Sequence, residues 1–162
     1  MAKKPSNKPS NKPSNKPSGP SSEPSAKEPW YKEGLRFKCT GCGDCCTGAA
    51  GYVWLNNADI AALAEEVGLD VQQFEAQFVR HVGVRKSLVE YDNGDCVFFD
   101  NQTRGCQVYA ARPRQCRTWP FWDSTLRTEK AWQETCEVCP GSGKGRLYQL
   151  EEIQAQRKVI RV

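Results

Sequence analysis

From Trp30 onward, short apolar stretches alternate with glycine, asparagine and proline, and each stretch is brief enough to mark one element. Tyr52-Val53-Trp54-Leu55 reads as a short strand. Asn56 or Asn57 then caps a helix with Ile60, Leu63, Ala64 and Val67 on one face, and Gly68 ends it. A second helix opens at Asp70, with Gln73 in the capping-box position and Val71, Phe74 and Phe78 sharing its apolar face, so that the pair forms a helical hairpin. Leu88 to Tyr91 and Cys96 to Phe99 read as strands around Asp92-Asn93-Gly94-Asp95, whose Asn-Gly favours a tight turn, and a third strand is expected at Gln107 to Tyr109. Pro113 suits the first position of a brief helix carrying Cys116, and Trp119-Pro120-Phe121-Trp122 breaks the regularity after it. A closing helix from Leu147 presents Leu150, Ile153 and Ile160 in one stripe. Glu151 and Glu152 lie near its start and Arg157 and Lys158 near its end, as the helix dipole prefers. The expected fold class is α+β, a small cysteine-rich domain with short antiparallel strands and several short helices.

Before Trp30 the pattern is different. Residues 5 to 18 repeat Pro-Ser-Asn-Lys every four residues, and no large apolar side chain occurs between Ala2 and Pro29. Such a segment cannot offset its ordering entropy, so 1–28 is expected to be a disordered, lysine-bearing tail and 29–162 one folded domain. The tail also changes how the charge is understood. It holds six lysines and two glutamates, and removing them from the chain's 23 basic and 19 acidic side chains leaves 17 of each. A folded part without net charge gives no drive towards nucleic acid, so no specific nucleic-acid partner is expected. No stretch of about 18 apolar residues and no signal-peptide pattern is evident, which points to a cytoplasmic protein without a membrane partner.

The nine cysteines carry the candidate chemistry. In a reducing compartment dense thiols point to metal binding or catalysis before a disulfide framework, and the odd count agrees. Cys39-x-x-Cys42-x-x-Cys45-Cys46 has gaps that let successive thiolates converge, and Gly41 and Gly43 permit the close turn. The same spacing, and a cysteine followed by proline as in Cys139-Pro140, is how ferredoxins deliver ligands to iron-sulfur clusters. Cys46 follows Cys45 directly and adjacent side chains diverge, so either the two thiols serve different metals or only one is a ligand. Cys96, Cys106, Cys116, Cys136 and Cys139 lie far along the chain, and any site shared with them must be closed by tertiary structure. Nine thiols make two sets of four plus one. A single four-thiolate site, with the surplus buried as small apolar residues, is the simpler alternative. All-sulfur ligation suits zinc and iron-sulfur alike, and the spacing favours an iron-sulfur cluster, with zinc the alternative.

Neighbouring residues bear on the same site. Trp119, Phe121 and Trp122 can shield a centre from water or simply fill the core. Arg112, Arg114 and Arg117 flank Cys116 and can offset thiolate charge or extend into solvent. Gly141-Ser142-Gly143-Lys144-Gly145 fails the spacing of a phosphate loop and reads as a flexible turn. Cys136-x-x-Cys139 lacks the β-α-β setting of a redox pair, so it joins the metal ligands. His81 reads as a packed or solvated histidine, and no nucleophile with its base is visible.

With these residues in view, the chain resembles the bacterial cysteine-cluster family of zinc- or iron-chelating proteins named for Cys-x-x-Cys-x-x-Cys-Cys. The likeness extends over Gly94-Asp95-Cys96-Val97-Phe98-Phe99-Asp100, Gly105-Cys106-Gln107-Val108-Tyr109, Arg112 to Phe121 and Cys139-Pro140-Gly141. It implies metal ligands at Cys39, Cys42, Cys45, Cys46, Cys96, Cys106, Cys116 and Cys139, with Cys136 as an addition to the usual eight. The N-terminal cluster then forms part of a tertiary thiolate centre closed by later segments. Members are often labelled iron-sulfur oxidoreductases, and a similar domain occurs in flagellin lysine methyltransferases. The expectations are therefore an iron-sulfur protein for electron transfer or redox sensing with a protein partner, a structural zinc module for protein interaction, or a metal-dependent or methyltransferase-accessory enzyme.

Overall fold

The computed structural model describes residues 28–162, so the tail expected over 1–28 lies, apart from Glu28, outside the described residues. The strand β1 (Leu35–Phe37) enters first, and β2 (Trp54–Leu55) leads into α1 (Asn57–Glu66) and α2 (Val71–Phe78). Asn56 caps α1 and Asp70 caps α2, each in a complete capping box, with Asp59 and Gln73 returning the bond. Gly68 stops α1 with a φ of 71°. Ile60, Leu63, Ala64 and Phe74 face inward as their spacing requires, but Val71 is 45% exposed because the first turn of α2 overhangs the core.

The pairing after α2 differs from the expected one. The hairpin forms earlier in the chain, from β3 (Val79–Val82) and β4 (Arg85–Leu88), around Gly83 and Val84, and the sheet order is β2-β4-β3. Gly83 has a φ of 59°, which a two-residue turn accepts more cheaply than any side chain-bearing residue would. Around Asn93-Gly94 only the bridge of Glu90 with Cys96 remains. The strands β5 (Phe99–Asp100) and β6 (Gly105–Cys106) then pair antiparallel, so the third strand expected at Gln107 to Tyr109 forms two to three residues earlier. Leu55, Ile60, Leu63, Phe74, Leu88, Phe98 and Val108 close the first core.

The second half holds α3 (Arg114–Thr118), α4 (Asp123–Leu126), α5 (Glu129–Val138), β7 (Arg146–Tyr148) and α6 (Leu150–Val159). Leu147 belongs to β7, which pairs with β1, so the closing helix starts later than the stripe suggests. The 141–145 segment is no flexible turn. Gly143 N–H donates to the Arg36 carbonyl at 2.9 Å, Ser142 is buried, and a Cβ on Gly141 would run into the Lys38 carbonyl oxygen. Tyr31, Leu35, Phe121, Leu126, Trp132 and Ile153 form the second core.

Asp59 joins α1 to the start of α3. Its carboxylate is buried, accepts from Asn56 N–H at 3.1 Å and Arg114 N–H at 3.0 Å, and faces the Arg114 guanidinium at 3.4 Å. Asp59→Ala leaves those donors unpaired, and a loss of about 3 kcal/mol is expected in a urea melt.

Candidate metal centre

The Cys39–Cys46 loop has no buried residues in its 3-10 turn (Asp44–Cys46), so its shape comes from backbone ties and from glycine. Lys38 N–H donates to the Gly141 carbonyl at 3.1 Å, Cys46 N–H to Gly43 at 2.8 Å, and Cys96 N–H to the Cys46 carbonyl at 2.8 Å. Gly43, at a φ of 75°, lies against the Arg104 carbonyl and the Phe99 ring, where a Cβ has no room. The loop is thereby clamped between the 139–142 segment and the β5–β6 hairpin.

The result is one cavity of about 270 Å³ whose wall contains Cys39, Cys42, Cys45, Cys46, Cys96, Cys106, Cys116 and Cys139. Phe37, Leu88, Phe98, Val108 and Trp119 supply apolar wall between them. Cys96 and Cys106 abut the first core, while Phe37 abuts the second, so the cavity sits where the two cores meet. Cys136 is not part of the wall; it lies on α5 and packs against the second core. All nine thiols are free. Among the described residues, no three His, Cys, Asp or Glu side chains are already grouped tightly enough to enclose a single ion, so the thiols line a space rather than close on a point.

Residues 38–140 match the family model described as "CxxCxxCC: Putative zinc- or iron-chelating domain". The chain belongs to this family. One curated relative, an uncharacterized protein of Methanocaldococcus jannaschii, is 26% identical over 91 residues, covering 56% of this chain. The chain spans about half of that relative's length, 48%. No solved structure matches. Among the described residues no helix is long and apolar enough to cross a membrane. The CxxCxxCC domain is a metal-chelating one, and an all-sulfur donor set of eight fits either zinc or iron-sulfur.

The CxxCxxCC thiols are electrostatically uneven. Cys45 and Cys46 do not diverge: their sulfurs lie 4.0 Å apart, because successive side chains on a 3-10 turn are rotated by about 120° rather than opposed as in a strand. The hydrogen bond the two thiols share lowers the Cys45 pKa and raises that of Cys46, and the Arg112 guanidinium helps Cys45 in the same direction. Burial pushes Cys96 up to about 11 and raises Cys116, Cys106 and Cys42 as well. Without metal the pocket therefore holds most of its thiols protonated.

Polar side chains reach the site as well. Trp119 Nε1–H donates to Cys139 Sγ at 3.4 Å, the Tyr109 hydroxyl lies 4.0 Å from Cys39 Sγ, and Arg112 stacks over the Tyr109 ring at 3.7 Å. Trp119 alone of the three aromatics joins the cavity. Phe121 is core, and Trp122 Nε1–H donates to the Gln115 carbonyl. Arg114 and Arg117 face Asp59 instead of sulfur, and His81 is exposed on β3. Arg104, unremarkable in the sequence, lines the cavity at a φ of 54°, donates Nε–H to the Cys42 carbonyl at 3.2 Å and pairs with Asp44. Only its place before Gly105-Cys106 hints at this. A donor on a ligand sulfur steadies the bound metal, so Trp119→Phe is expected to speed metal loss to a chelator by ~10-fold.

Proposed function

We propose that this domain holds an iron-sulfur centre used in electron transfer or redox sensing with a protein partner in a reducing, cytoplasmic setting. The observation that carries the reading is the convergence of eight thiols on one cavity, with cysteine the sole ligand type in its wall. Ferredoxin-like spacing in the Cys39–Cys45 run and the Cys139-Pro140 pair support iron-sulfur over a lone zinc. When bound, such a centre accepts and returns an electron. The chain's own part is to bind it, exclude water and adjust its charge. Cys39, Cys42, Cys45, Cys46, Cys96, Cys106, Cys116 and Cys139 supply sulfur, Phe37, Phe98 and Trp119 shield it, and Arg104 and Arg112 offset negative charge beside it. Trp119 donates to Cys139, which raises the ease of reduction by stabilising the added charge.

Anaerobic purification after iron-replete expression tests the reading. A brown, dithionite-bleached protein with matching iron and acid-labile sulfide is the expected result. A colourless protein with stoichiometric zinc would overturn it and make the domain a zinc-held interaction module.

A further inference from the structure

We propose that the groove between Pro29–Tyr31, α4 and the end of α6 docks an acidic segment of a partner protein, with one apolar side chain of that segment seated against Trp30. The groove, of about 920 Å³, shares no lining residue with the cysteine cavity, so it is a second surface and not an extension of the metal centre.

Three segments build it. Pro29 and Trp30 form one wall, Asp123 and Leu126 of α4 with Arg127 just after it form the second, and Gln154, Arg157 and Lys158 of α6 with Arg161 just past it form the third. Gln154, Arg157 and Lys158 stand at i, i+3 and i+4 and share one helix face, while the adjoining Ile153 is fully buried in the second core. The floor is apolar and fixed. Tyr31 and Leu126 are buried, Trp30 Nε1–H donates to the Leu126 carbonyl at 2.8 Å, and the Trp30 ring meets Tyr31 edge-on at 5.3 Å. A floor set in place beforehand spares a ligand the cost of ordering it. Most of the lining lies outside residues 38–140, so the groove belongs to the segments flanking the shared metal-binding unit.

Charge decides the occupant. Arg127, Arg157, Lys158 and Arg161 face a single carboxylate, Asp123, which is already paired with Arg157. Arg157 also donates to the Tyr31 hydroxyl at 3.2 Å. Among the described residues Arg127, Lys158 and Arg161 take part in no ion pair, and all three are exposed. Residues 29–162 hold as many acidic as basic side chains, so three unpaired cations on one groove are a local field and not a general basicity. The chain's own segment 1–28 is a poor occupant, because its six lysines against two glutamates are repelled by these cations and would instead add to the attraction for an acidic partner. Nucleic acid needs open aromatic faces for its bases, but Tyr31 is buried and Trp30 half-buried and tied by its edge. A flat bilayer cannot reach the floor of a concave groove.

The test uses a fluorescein-labelled short peptide of aspartate and glutamate with one central phenylalanine, titrated into the metal-loaded full chain and read by fluorescence anisotropy. Saturable one-to-one binding is expected, weaker when the phenylalanine is replaced by serine and weaker by several-fold between ~50 and ~200 mM salt. Lys158→Glu with Arg161→Glu should weaken binding by ~10-fold or more, whereas Lys130→Glu with Lys144→Glu, exposed cations outside the groove, should leave it unchanged. Metal content and melting temperature of the first pair should match the wild type, because neither side chain is paired in the fold. If that pair folds poorly, Arg127→Ala with Arg161→Ala gives the same readout.

Peptide affinity that survives the groove reversal would place the peptide on the lysines of 1–28 and overturn the proposal. Tighter and reversal-sensitive binding of oligothymidylate, or of phosphatidylserine vesicles, would overturn it in favour of nucleic acid or membrane. The outcome is separate from the metal reading, since loss of the groove's cations leaves every thiol of the cavity in place.

Discussion

Removing the metal under reducing conditions is expected to cost the domain most of its cooperative stability. The loop 38–47 buries nothing in its 3-10 turn, and β1 is held to β7 by three residue pairs, so little apolar burial holds the loop side of the cavity wall in place. Thiolate binding of a structural metal contributes roughly 10 kcal/mol or more of folding free energy at pH 7. The whole stability of a domain this size is only about 5–15 kcal/mol. The first core, with Leu63 and Phe74 fully buried on the α1–α2 hairpin, does not depend on sulfur. The apo chain should therefore keep much of its far-UV helical signal while losing near-UV tryptophan dichroism and a sharp melt. An apo protein that melts within a few degrees of the loaded one would defeat the prediction.

The apo form should also be alkali-sensitive. Burial raises the folded Cys96 pKa to about 11, above the ordinary value of about 9, and raises Cys116 too. The unfolded chain releases those protons first. Stability is therefore full below pH ~9 and falls by ~1.4 kcal/mol per group per unit above it, until the folded thiols ionise in turn. Cys45, lowered by its neighbour to about 7, works the other way between about pH 7 and 9. In the loaded protein the thiolates are already deprotonated, so this alkaline loss should vanish and acid should release metal instead.

Where one residue's chemistry determines an element, that element was legible. Asparagine before α1 and Asp70 before α2 announce their helices because a capping side chain satisfies orphan N–H groups locally; the box expected at Asp70–Gln73 forms, and Asn56 rather than Asn57 caps α1, closing a second box with Asp59. The β3–β4 hairpin was not legible, since its strands carry Arg80, His81, Arg85 and Lys86 and its turn carries an exposed Val84 in place of Asn-Gly. Packing of Leu88 and the turn at Gly83 outweigh the stronger local signal at Asn93-Gly94. The helix α4 escaped because it has only four residues, and α5 because only Trp132 and Thr135 are buried along it, so that it is held by Trp132 against Phe121 rather than by a long stripe.

The site itself was more legible than its surroundings. Cysteine identity and two-residue spacing mark candidate ligands at any fold, and eight of the nine thiols line one cavity, whereas Arg104 and Trp119 reach it only when β6 and α3 bring them there. Arginines beside Cys116 look alike in sequence, and it takes the buried Asp59 to draw Arg114 and Arg117 away and leave Arg112 at the thiols.

Cys136 and Cys116 provide the sharpest contrast within one residue type. Both are partly buried free thiols, yet Cys116 is in the cavity wall among other cysteines and Cys136 packs on α5 against the second core. Cys116→Ser replaces a soft sulfur by a hard hydroxyl in a pocket that disfavours charge, and removes one thiol from the cavity wall. It is expected to lower the bound metal and to lower the melting temperature by 10 °C or more, since a destabilisation of 1 kcal/mol already shifts a domain of this size by roughly 3–4 °C. Cys136→Ser trades a half-buried thiol for a hydroxyl of similar size at a cost of about 1 kcal/mol, with metal content unchanged. Metal analysis beside a thermal melt of each variant separates the two roles. Loss of metal from Cys136→Ser equal to that from Cys116→Ser would bring Cys136 into the ligand set and require the α5 C-terminus to swing towards the cavity.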